Sequence, residues 1–391
     1  MRFQSLAAAS FVVAACLAAA QPATAQMSAF YAATPAELAA GPAGSLIRAE
    51  ELRGPWGSKA YRILYRSTGL NGGIVPVSGI LVVPTAAAPA GGHPVVAWAH
   101  PTTGVADKCA PSLMNSEVFQ TIQGVDLMVQ RGYVVVATDY PGLGTEGQHP
   151  YLVGVSEGRA VLDSVRAARQ FAGASNRFAV WGHSQGGHAA LWTGEIAAEY
   201  APDLAIVGVA AAAPASLLGK LFDDDLGTTA GEGLTALTLW AWHNLYNIPL
   251  GSVVDASDVK SVEAIGGECL SGFTDFVTDV AAIGHIASGD FMHADPVKTA
   301  PWSGIITANT PGQKPAGAPV FIAQGSADMV VDPPVTTEFA TLLCNQGTPV
   351  KFHEVPDATH TIIAHVSAAA AVEWIAARFA GEPPPTNCVK K

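Results

Sequence analysis

"AVWGHSQGGHAAL", residues 179–191, joins an apolar segment typical of a buried strand to a segment typical of a helix. Its centre matches the pattern G-x-S-x-G, in which a serine lies on a sharp turn between strand and helix. Gly182 and Gly186 remove side chains that would otherwise collide across this turn, and the following helix begins with N–H groups that lack acceptors. We predict that Ser184 is a nucleophile and that the Gln185 N–H binds an oxyanion. The alternative is an ordinary glycine-rich turn.

Strands and helices alternate on both sides of this motif. Apolar, β-rich segments closed by turn residues predict strands at 60–67, 77–84, 94–100, 133–142, 178–184, 204–214, 318–326 and 350–356. Helical patterns lie near 115–131, 156–173, 185–201, 335–345 and 364–380. The alternation predicts an α/β fold with a mostly parallel central sheet and helices on both faces.

The interval 216–310 interrupts this alternation, because it contains no convincing buried strand. We predict that it is a mostly helical insertion that caps the site, the alternative being a run of ordinary peripheral helices. The α/β domain then has two parts, residues 26–215 and residues 311–391. Six apolar residues of the cap are candidates either for an acyl pocket or for packing within the cap: Leu237, Leu239, Trp240, Trp242, Leu245 and Tyr246.

Residues 1–25 have the three parts of a secretory signal peptide. Arg2 supplies the positive start, an apolar run extends from Leu6 to Ala20, and small residues at 23 and 25 mark a cleavage site. The apolar run is too short for a stable membrane span. We therefore predict a secreted protein, either extracellular or periplasmic.

Four cysteines follow residue 25, and an even number of cysteines in an exported protein indicates disulfide bonds. Of the three possible pairings we predict Cys109–Cys269 and Cys344–Cys388, the second of which holds the C-terminal tail against the body of the protein. The alternative is free, buried thiols. The chain contains no CxxC pattern and no histidine cluster, so we predict no metal site.

A serine nucleophile needs a base, and the base needs an acid that orients it. In hydrolases with this serine motif the acid and then the histidine follow the serine along the chain. Asp328 lies directly after one predicted strand and His360 lies just past the next, so we predict them as acid and base, with Asp332 as the alternative acid. Other candidates are less well placed in sequence or in direction: Asp357, His183, His188, His353 and His365.

A second oxyanion donor is expected in the loop after an early strand, within "AWAHPTTGVADKCAPS", residues 97–112. Pro101 has no N–H to donate. We predict the Thr102 N–H as the donor, although a Thr-Thr-Gly turn is also an ordinary loop sequence.

The net charge of −12 argues against nucleic acid or an anionic membrane as a partner, since both attract basic surfaces. The 49% apolar composition is ample for a compact core. These values fit an exported protein that acts on neutral or apolar material.

The chain resembles the secretory lipases of the α/β-hydrolase superfamily, the group that includes the lipase A type of yeast and exported bacterial relatives. The resemblance rests on "WAHPTTG…CAPS", "DYPGLGT", "GHSQGGHAALW", "GSADMVVDP" and "DATHT", and it extends from about residue 45 to the C-terminus. It implies an α/β-hydrolase fold, a helical cap, and triacylglycerol lipase or carboxylesterase activity. The chain departs from the family at Pro101, where relatives more often carry glycine.

The predicted reaction is hydrolysis of an acyl ester, such as a triacylglycerol, through an acyl-enzyme on Ser184, and it needs no metal or organic cofactor. The expected partners are small-molecule or lipid esters, with transient contact at a lipid interface. Three alternatives stay open: a short-chain or aromatic-acid carboxylesterase, a serine peptidase of the same fold, and a non-catalytic binding protein on a hydrolase scaffold.

Overall fold

The computed structural model describes residues 29–225, 227–270, 280–281, 286 and 290–388. The predicted signal peptide lies outside these residues. The strands are β1 (Leu46–Leu52), β2 (Ser58–Thr68), β3 (Ile74–Pro84), β4 (Val95–Ala99), β5 (Val134–Thr138), β6 (Arg177–His183), β7 (Ala205–Ala212), β8 (Val320–Gly325) and β9 (Val350–Val355). The α-helices are α1 (Pro35–Ala39), α2 (Val125–Gln130), α3 (Gly154–Ala172), α4 (Gln185–Tyr200), α5 (Leu218–Asp225), α6 (Thr229–Tyr246), α7 (Val259–Gly266), α8 (Trp302–Asn309), α9 (Pro333–Asn345) and α10 (His360–Phe379). Short 3-10 segments cover Asp107–Cys109, Pro111–Gln120 and Leu250–Ser252.

These strands form one sheet in the order β1-β2-β3-β5-β4-β6-β7-β8-β9. Strands β1, β2 and β3 are antiparallel to their neighbours. The other six strands run parallel to one another: β5, β4, β6, β7, β8 and β9. Every residue of β4 and β5 is buried, as expected of parallel strands that helices cover on both faces. The predicted mostly parallel α/β fold is therefore confirmed.

Helices cover both faces of the sheet. Helices α3, α4 and α9 pack on one face, where Val161, Ala189 and Phe339 belong to one apolar cluster. Helices α2 and α10 pack on the other face, where Trp181 and Ile363 belong to a second cluster. Within the described ranges, α10 alone is long and apolar enough to span a membrane, but more than half of it is buried, as in the core helix of a globular protein.

Three elements differ from the sequence prediction. The strand pattern does not reveal β1, because its sequence, LIRAEEL, is polar and lies at the partly exposed edge of the sheet. The helix predicted near 115–131 is instead a 3-10 segment followed by the short α2. Helix α10 begins at His360 rather than near residue 364, so His365 lies in its second turn.

The described residues between β7 and β8 include helices α5 to α8 and the 3-10 segment Leu250–Ser252. Helix α6 is apolar on nearly all sides, and its Leu237, Leu239 and Trp242 are fully buried. The Trp242 indole N–H donates a hydrogen bond to the carbonyl of Tyr151, 2.8 Å away. This contact joins α6 to the loop before α3, close to the carboxyl ends of the parallel strands.

The parallel strands bring four sequence regions to one edge of the sheet, since parallel strands all end on the same side. Thr102 follows β4, Ser184 follows β6, Asp328 follows β8, and His360 follows β9. The residues predicted to act together therefore lie at the same edge.

Candidate active site

Ser184 lies on the strained turn between β6 and α4, with φ 55° and ψ −117°. A Cβ atom on Gly182 would lie 2.0 Å from the carbonyl oxygen of Gly186, and one on Gly186 would lie 1.9 Å from that of Ala99. Only glycine fits at these two positions, because both obstacles are backbone atoms. The turn thus presents the serine hydroxyl at the edge of the sheet while its backbone stays packed.

Ser184, His360 and Asp328 form a continuous chain of hydrogen bonds. The Ser184 Oγ is 3.0 Å from the His360 Nε2, and the His360 Nδ1 is 2.9 Å from the Asp328 Oδ2. His360 is 8% exposed and Asp328 is 4% exposed, so little water competes for these bonds. The acid in contact with the histidine is Asp328, whereas Asp332 precedes the first turn of α9.

The Asp328 carboxylate is held by backbone as well as by the histidine. Its Oδ1 accepts hydrogen bonds from the N–H groups of Val330 and Val331, both at 2.9 Å. Burial by itself raises the pKa of this carboxyl, but the hydrogen bond and charge of His360 and the two N–H groups outweigh burial and lower the pKa below its ordinary value. Asp328 is therefore ionised at neutral pH and oriented to receive the His360 Nδ1–H.

The two residues predicted as oxyanion donors, Gln185 and Thr102, both line a cavity at Ser184. Neither the Gln185 N–H nor the Thr102 N–H donates to an acceptor among the described residues. Gln185 opens α4, where the helix dipole also favours negative charge. The Thr102 Oγ1 is hydrogen-bonded to the Tyr151 hydroxyl at 2.9 Å, which fixes the loop after β4 near the serine.

A buried carboxylate behind the nucleophile organises this region, and sequence reasoning did not identify it. Glu157 on α3 is 1% exposed and accepts hydrogen bonds from the Leu152 N–H at 3.1 Å and the Gln185 Nε2 at 2.8 Å. Its Oε2 is 2.6 Å from the Nδ1 of His188. The His188 Nε2–H donates to the carbonyl of Asn309 at the end of α8, 2.8 Å away. Through His188, Glu157 thus connects Gln185, the residue after the nucleophile, to Asn309, which lies at the end of α8 and before β8.

His183 packs against the imidazole ring of His360, the candidate base. Its ring centroid is 4.9 Å from that of His360. Burial, together with repulsion from His360, lowers the pKa of the His183 imidazole to about 3. His183 is therefore neutral and confines the His360 ring sterically, a role that its place in the motif does not reveal.

Two cavities meet at Ser184. The larger has a volume of about 330 Å³, and its lining includes Trp98, Thr102, Met114, Leu234, Leu270 and His360. The smaller has a volume of about 50 Å³, and its lining includes Gln185, Leu218, Leu221, Phe222, Asp225 and Thr235. None of the six predicted pocket residues of α6 lines either cavity; Leu234, Thr235 and Thr238 of this helix do so instead, because its other sides pack within the insertion.

The structure contains two disulfide bonds with the predicted pairing, Cys109–Cys269 and Cys344–Cys388. The first joins the loop after β4 to the insertion, and the adjacent Leu270 N–H donates to the Thr103 carbonyl at 3.0 Å. The loop that carries Thr102 is therefore tied to the insertion by one covalent and one hydrogen bond.

The strained serine turn at the edge of a mostly parallel sheet defines an α/β-hydrolase. The structure of Candida antarctica lipase A in its closed state is similar, with a TM-score of 0.77 at 21% identity over 92% of this chain and 87% of that chain. The family model for secretory lipase matches residues 119–387, and the chain therefore belongs to the secretory lipase family.

Three curated relatives illustrate the range of this family. Lipase 5 of Candida albicans is 27% identical over 67% of this chain and 58% of its own length. The protein named probable inactive lipase MT1628 of Mycobacterium tuberculosis is 27% identical over 83% of this chain and 74% of its own length. A third relative, the trichothecene C-3 esterase of Fusarium sporotrichioides, is 26% identical over 64% of this chain and 58% of its own length.

Proposed function

We propose that this protein is a secreted serine carboxylic ester hydrolase that cleaves neutral acyl esters through an acyl-enzyme on Ser184. The observation that carries the proposal is the hydrogen-bonded chain from Ser184 through His360 to Asp328, open to a cavity of about 330 Å³. The complete chain of contacts favours an active enzyme over a non-catalytic relative.

In the first half of the reaction the Ser184 Oγ attacks the ester carbonyl while the His360 Nε2 takes the hydroxyl proton. Asp328 accepts the Nδ1–H of His360, which keeps Nε2 free as the base and stabilises the imidazolium that forms. The N–H groups of Gln185 and Thr102 bind the oxyanion of the tetrahedral intermediate, and the loss of one such donor costs about 2.7–4 kcal/mol of transition-state stabilisation.

The tetrahedral intermediate then collapses: His360 gives its proton to the leaving alcohol oxygen as the ester C–O bond breaks, which leaves Ser184 acylated. Water then attacks the acyl-enzyme, His360 takes one of its protons, and the carboxylic acid leaves as Ser184 regains its hydrogen. Each step uses protein groups and water.

The cavities favour a short acyl chain. The leaving oxygen must lie within reach of the His360 Nε2, and His360 lines the larger cavity but not the smaller one. The alcohol therefore occupies the larger cavity and the acyl group the smaller. A volume of about 50 Å³ holds only a few heavy atoms, so this geometry supports the short-chain carboxylesterase above the triacylglycerol lipase.

We further propose that residues 216–310 act as the cap over the site. Leu234 and Leu270 of this segment line the larger cavity, and Leu218, Leu221 and Phe222 line the smaller one. The two disulfide bonds and the signal-peptide pattern of residues 1–25 support export.

The test is a rate series with p-nitrophenyl esters from acetate to palmitate, beside an emulsion of a long-chain triacylglycerol. We expect kcat/KM to be highest for chains of two to four carbons. Ser184→Ala and His360→Ala should lower kcat on the order of 10⁴-fold or more. His365→Ala is the matched control, because His365 is an exposed histidine on the same helix and should leave kcat unchanged. Wild-type rates in Ser184→Ala would overturn the proposal.

A further inference from the structure

The smaller cavity contains polar groups that the reaction leaves unused. Asp225 and Thr235 both line it, together with the nucleophile Ser184. Thr235 is 1% exposed, and its hydroxyl oxygen has no hydrogen-bond partner in the part of the chain that the structure describes. The Asp225 carboxyl is partly buried and likewise has no side-chain hydrogen bond or ion pair there.

These two groups require a partner that the described chain does not provide. A buried hydroxyl without a hydrogen bond costs about 1–3 kcal/mol, and a buried carboxylate costs more. Burial, with added repulsion from Asp224 and Glu232, raises the pKa of Asp225 to about 8. Asp225 is therefore largely protonated at neutral pH, so that its carboxyl both donates and accepts a hydrogen bond, as the Thr235 hydroxyl also does.

The rest of the cavity restricts the size and polarity of its occupant. About 50 Å³ is a few times the roughly 10–15 Å³ that a cavity needs to hold a single water, so the cavity admits only a small group. The side chains of Leu218, Leu221, Phe222 and Leu234 supply apolar walls. A chain of about four carbons that carries one hydroxyl fits both the volume and the mixture of apolar walls and unpaired polar groups.

We propose that the smaller cavity is a subsite for a short hydroxyacyl group, whose hydroxyl exchanges hydrogen bonds with Asp225 and Thr235. The inference rests on the proposed ester hydrolysis, and it assigns the hydroxyl to the acyl part because the alcohol must lie beside His360. The substrate class is then an ester of a short hydroxy acid with an alcohol that occupies the larger cavity.

The experiment compares three ethyl esters by titration of the released acid: the 3-hydroxybutanoate, the 3-methylbutanoate and the acetate. The first two differ only by exchange of a hydroxyl for a methyl group, and the acetate is too short to carry either. A site built to hydrogen-bond a hydroxyl discriminates strongly against an analogue that lacks it. We expect kcat/KM of the wild type to favour the hydroxy ester over its methyl analogue by at least about 10-fold.

Three variants locate the preference. Asp225→Leu and Thr235→Val should each reduce the ratio of kcat/KM for the hydroxy ester to kcat/KM for its methyl analogue about 10-fold or more. Asp225→Asn, whose side chain can still donate and accept, should retain this ratio. If Asp225→Leu also impairs ethyl acetate hydrolysis, Thr235→Val and Asp225→Asn decide whether the cavity binds the hydroxyl of the substrate.

Two results would overturn the subsite. One is a wild type that prefers the methyl analogue, and the other is a preference for the hydroxy ester that neither Asp225→Leu nor Thr235→Val changes. Failure of the proposed function is distinguishable, because the wild type would then hydrolyse none of the three esters, and the subsite would fall with it.

Discussion

Replacement of Glu157 by alanine tests how the fold supports the nucleophile. Glu157 is 1% exposed and receives hydrogen bonds from Leu152, Gln185 and His188 at 3.1, 2.8 and 2.6 Å. His188 cannot turn to another acceptor, because its second ring nitrogen already donates to the Asn309 carbonyl at 2.8 Å. The substitution therefore removes the acceptor of the Leu152 N–H and of the His188 Nδ1, and it leaves the Gln185 Nε2 with the His149 Nε2, 3.1 Å away, as its remaining partner.

The expected loss of stability follows from this burial. A buried donor that is left without its acceptor costs about 1–3 kcal/mol. We expect the free energy of unfolding of Glu157→Ala to fall by at least this amount. Gln185 also loses one of the two contacts that hold its side chain beside Ser184, the other being the His149 Nε2. We therefore expect kcat to fall, at most by the roughly 10²–10³-fold that the loss of one oxyanion donor costs.

Urea unfolding followed by tryptophan fluorescence measures the first effect, and kcat on a short-chain ester measures the second. Glu199→Ala is the control, since Glu199 is an exposed glutamate of α4 that is paired with Lys314 at 2.8 Å. This control should leave both quantities unchanged. A Glu157→Ala protein with stability within about 1 kcal/mol of wild type and an unchanged kcat would refute the reasoning.

Three further outcomes follow from the site and its supports. Asp328→Asn should lower kcat about 10⁴-fold while circular dichroism stays unchanged, because the amide no longer selects the His360 tautomer that leaves Nε2 free; a decrease below about 10-fold would contradict this role. Burial raises the pKa of Asp225 from 3.8 to about 8, so the native state holds a proton that the unfolded chain releases. The contribution of Asp225 to the free energy of unfolding should therefore fall as pH rises from 4 through 8, and the slope of stability against pH should be more negative in wild type than in Asp225→Asn; equal slopes would count against it. The double variant Cys109→Ser/Cys269→Ser should lose about 2–5 kcal/mol of stability in urea unfolding, since the bond closes a loop between residues 160 apart; an unaltered midpoint would mean that the loop is held by other contacts.

Local chemistry made the serine turn and its partners predictable. The glycines at 182 and 186 are explained by backbone atoms only 2.0 and 1.9 Å from an added Cβ, which is a steric requirement that the motif itself expresses. Asp328 follows the fully buried strand β8, and His360 follows β9, in which Val350 and Phe352 alternate with polar residues. Their positions at one edge of a parallel sheet therefore follow from chain order.

Features that depend on tertiary contacts were not predictable in the same way. Strand β1 shows no apolar alternation, because none of its residues is fully buried on either face of the sheet. Helix α6 is apolar on most sides, so composition does not indicate that Leu234 and Thr235 face the cavity while Trp242 packs in the core. Glu157 lies 27 residues before Ser184 in an otherwise ordinary helix, and only the folded chain brings it behind Gln185.

The central claim is that the Ser184 hydroxyl is made nucleophilic by His360. Treatment with a fluorophosphonate probe, followed by intact mass spectrometry and peptide mapping, tests it most directly. We predict one adduct per chain, located on Ser184, absent from Ser184→Ala and formed far more slowly in His360→Ala. A wild type that acquires no adduct, or a Ser184→Ala variant labelled as fast as wild type, would contradict the account.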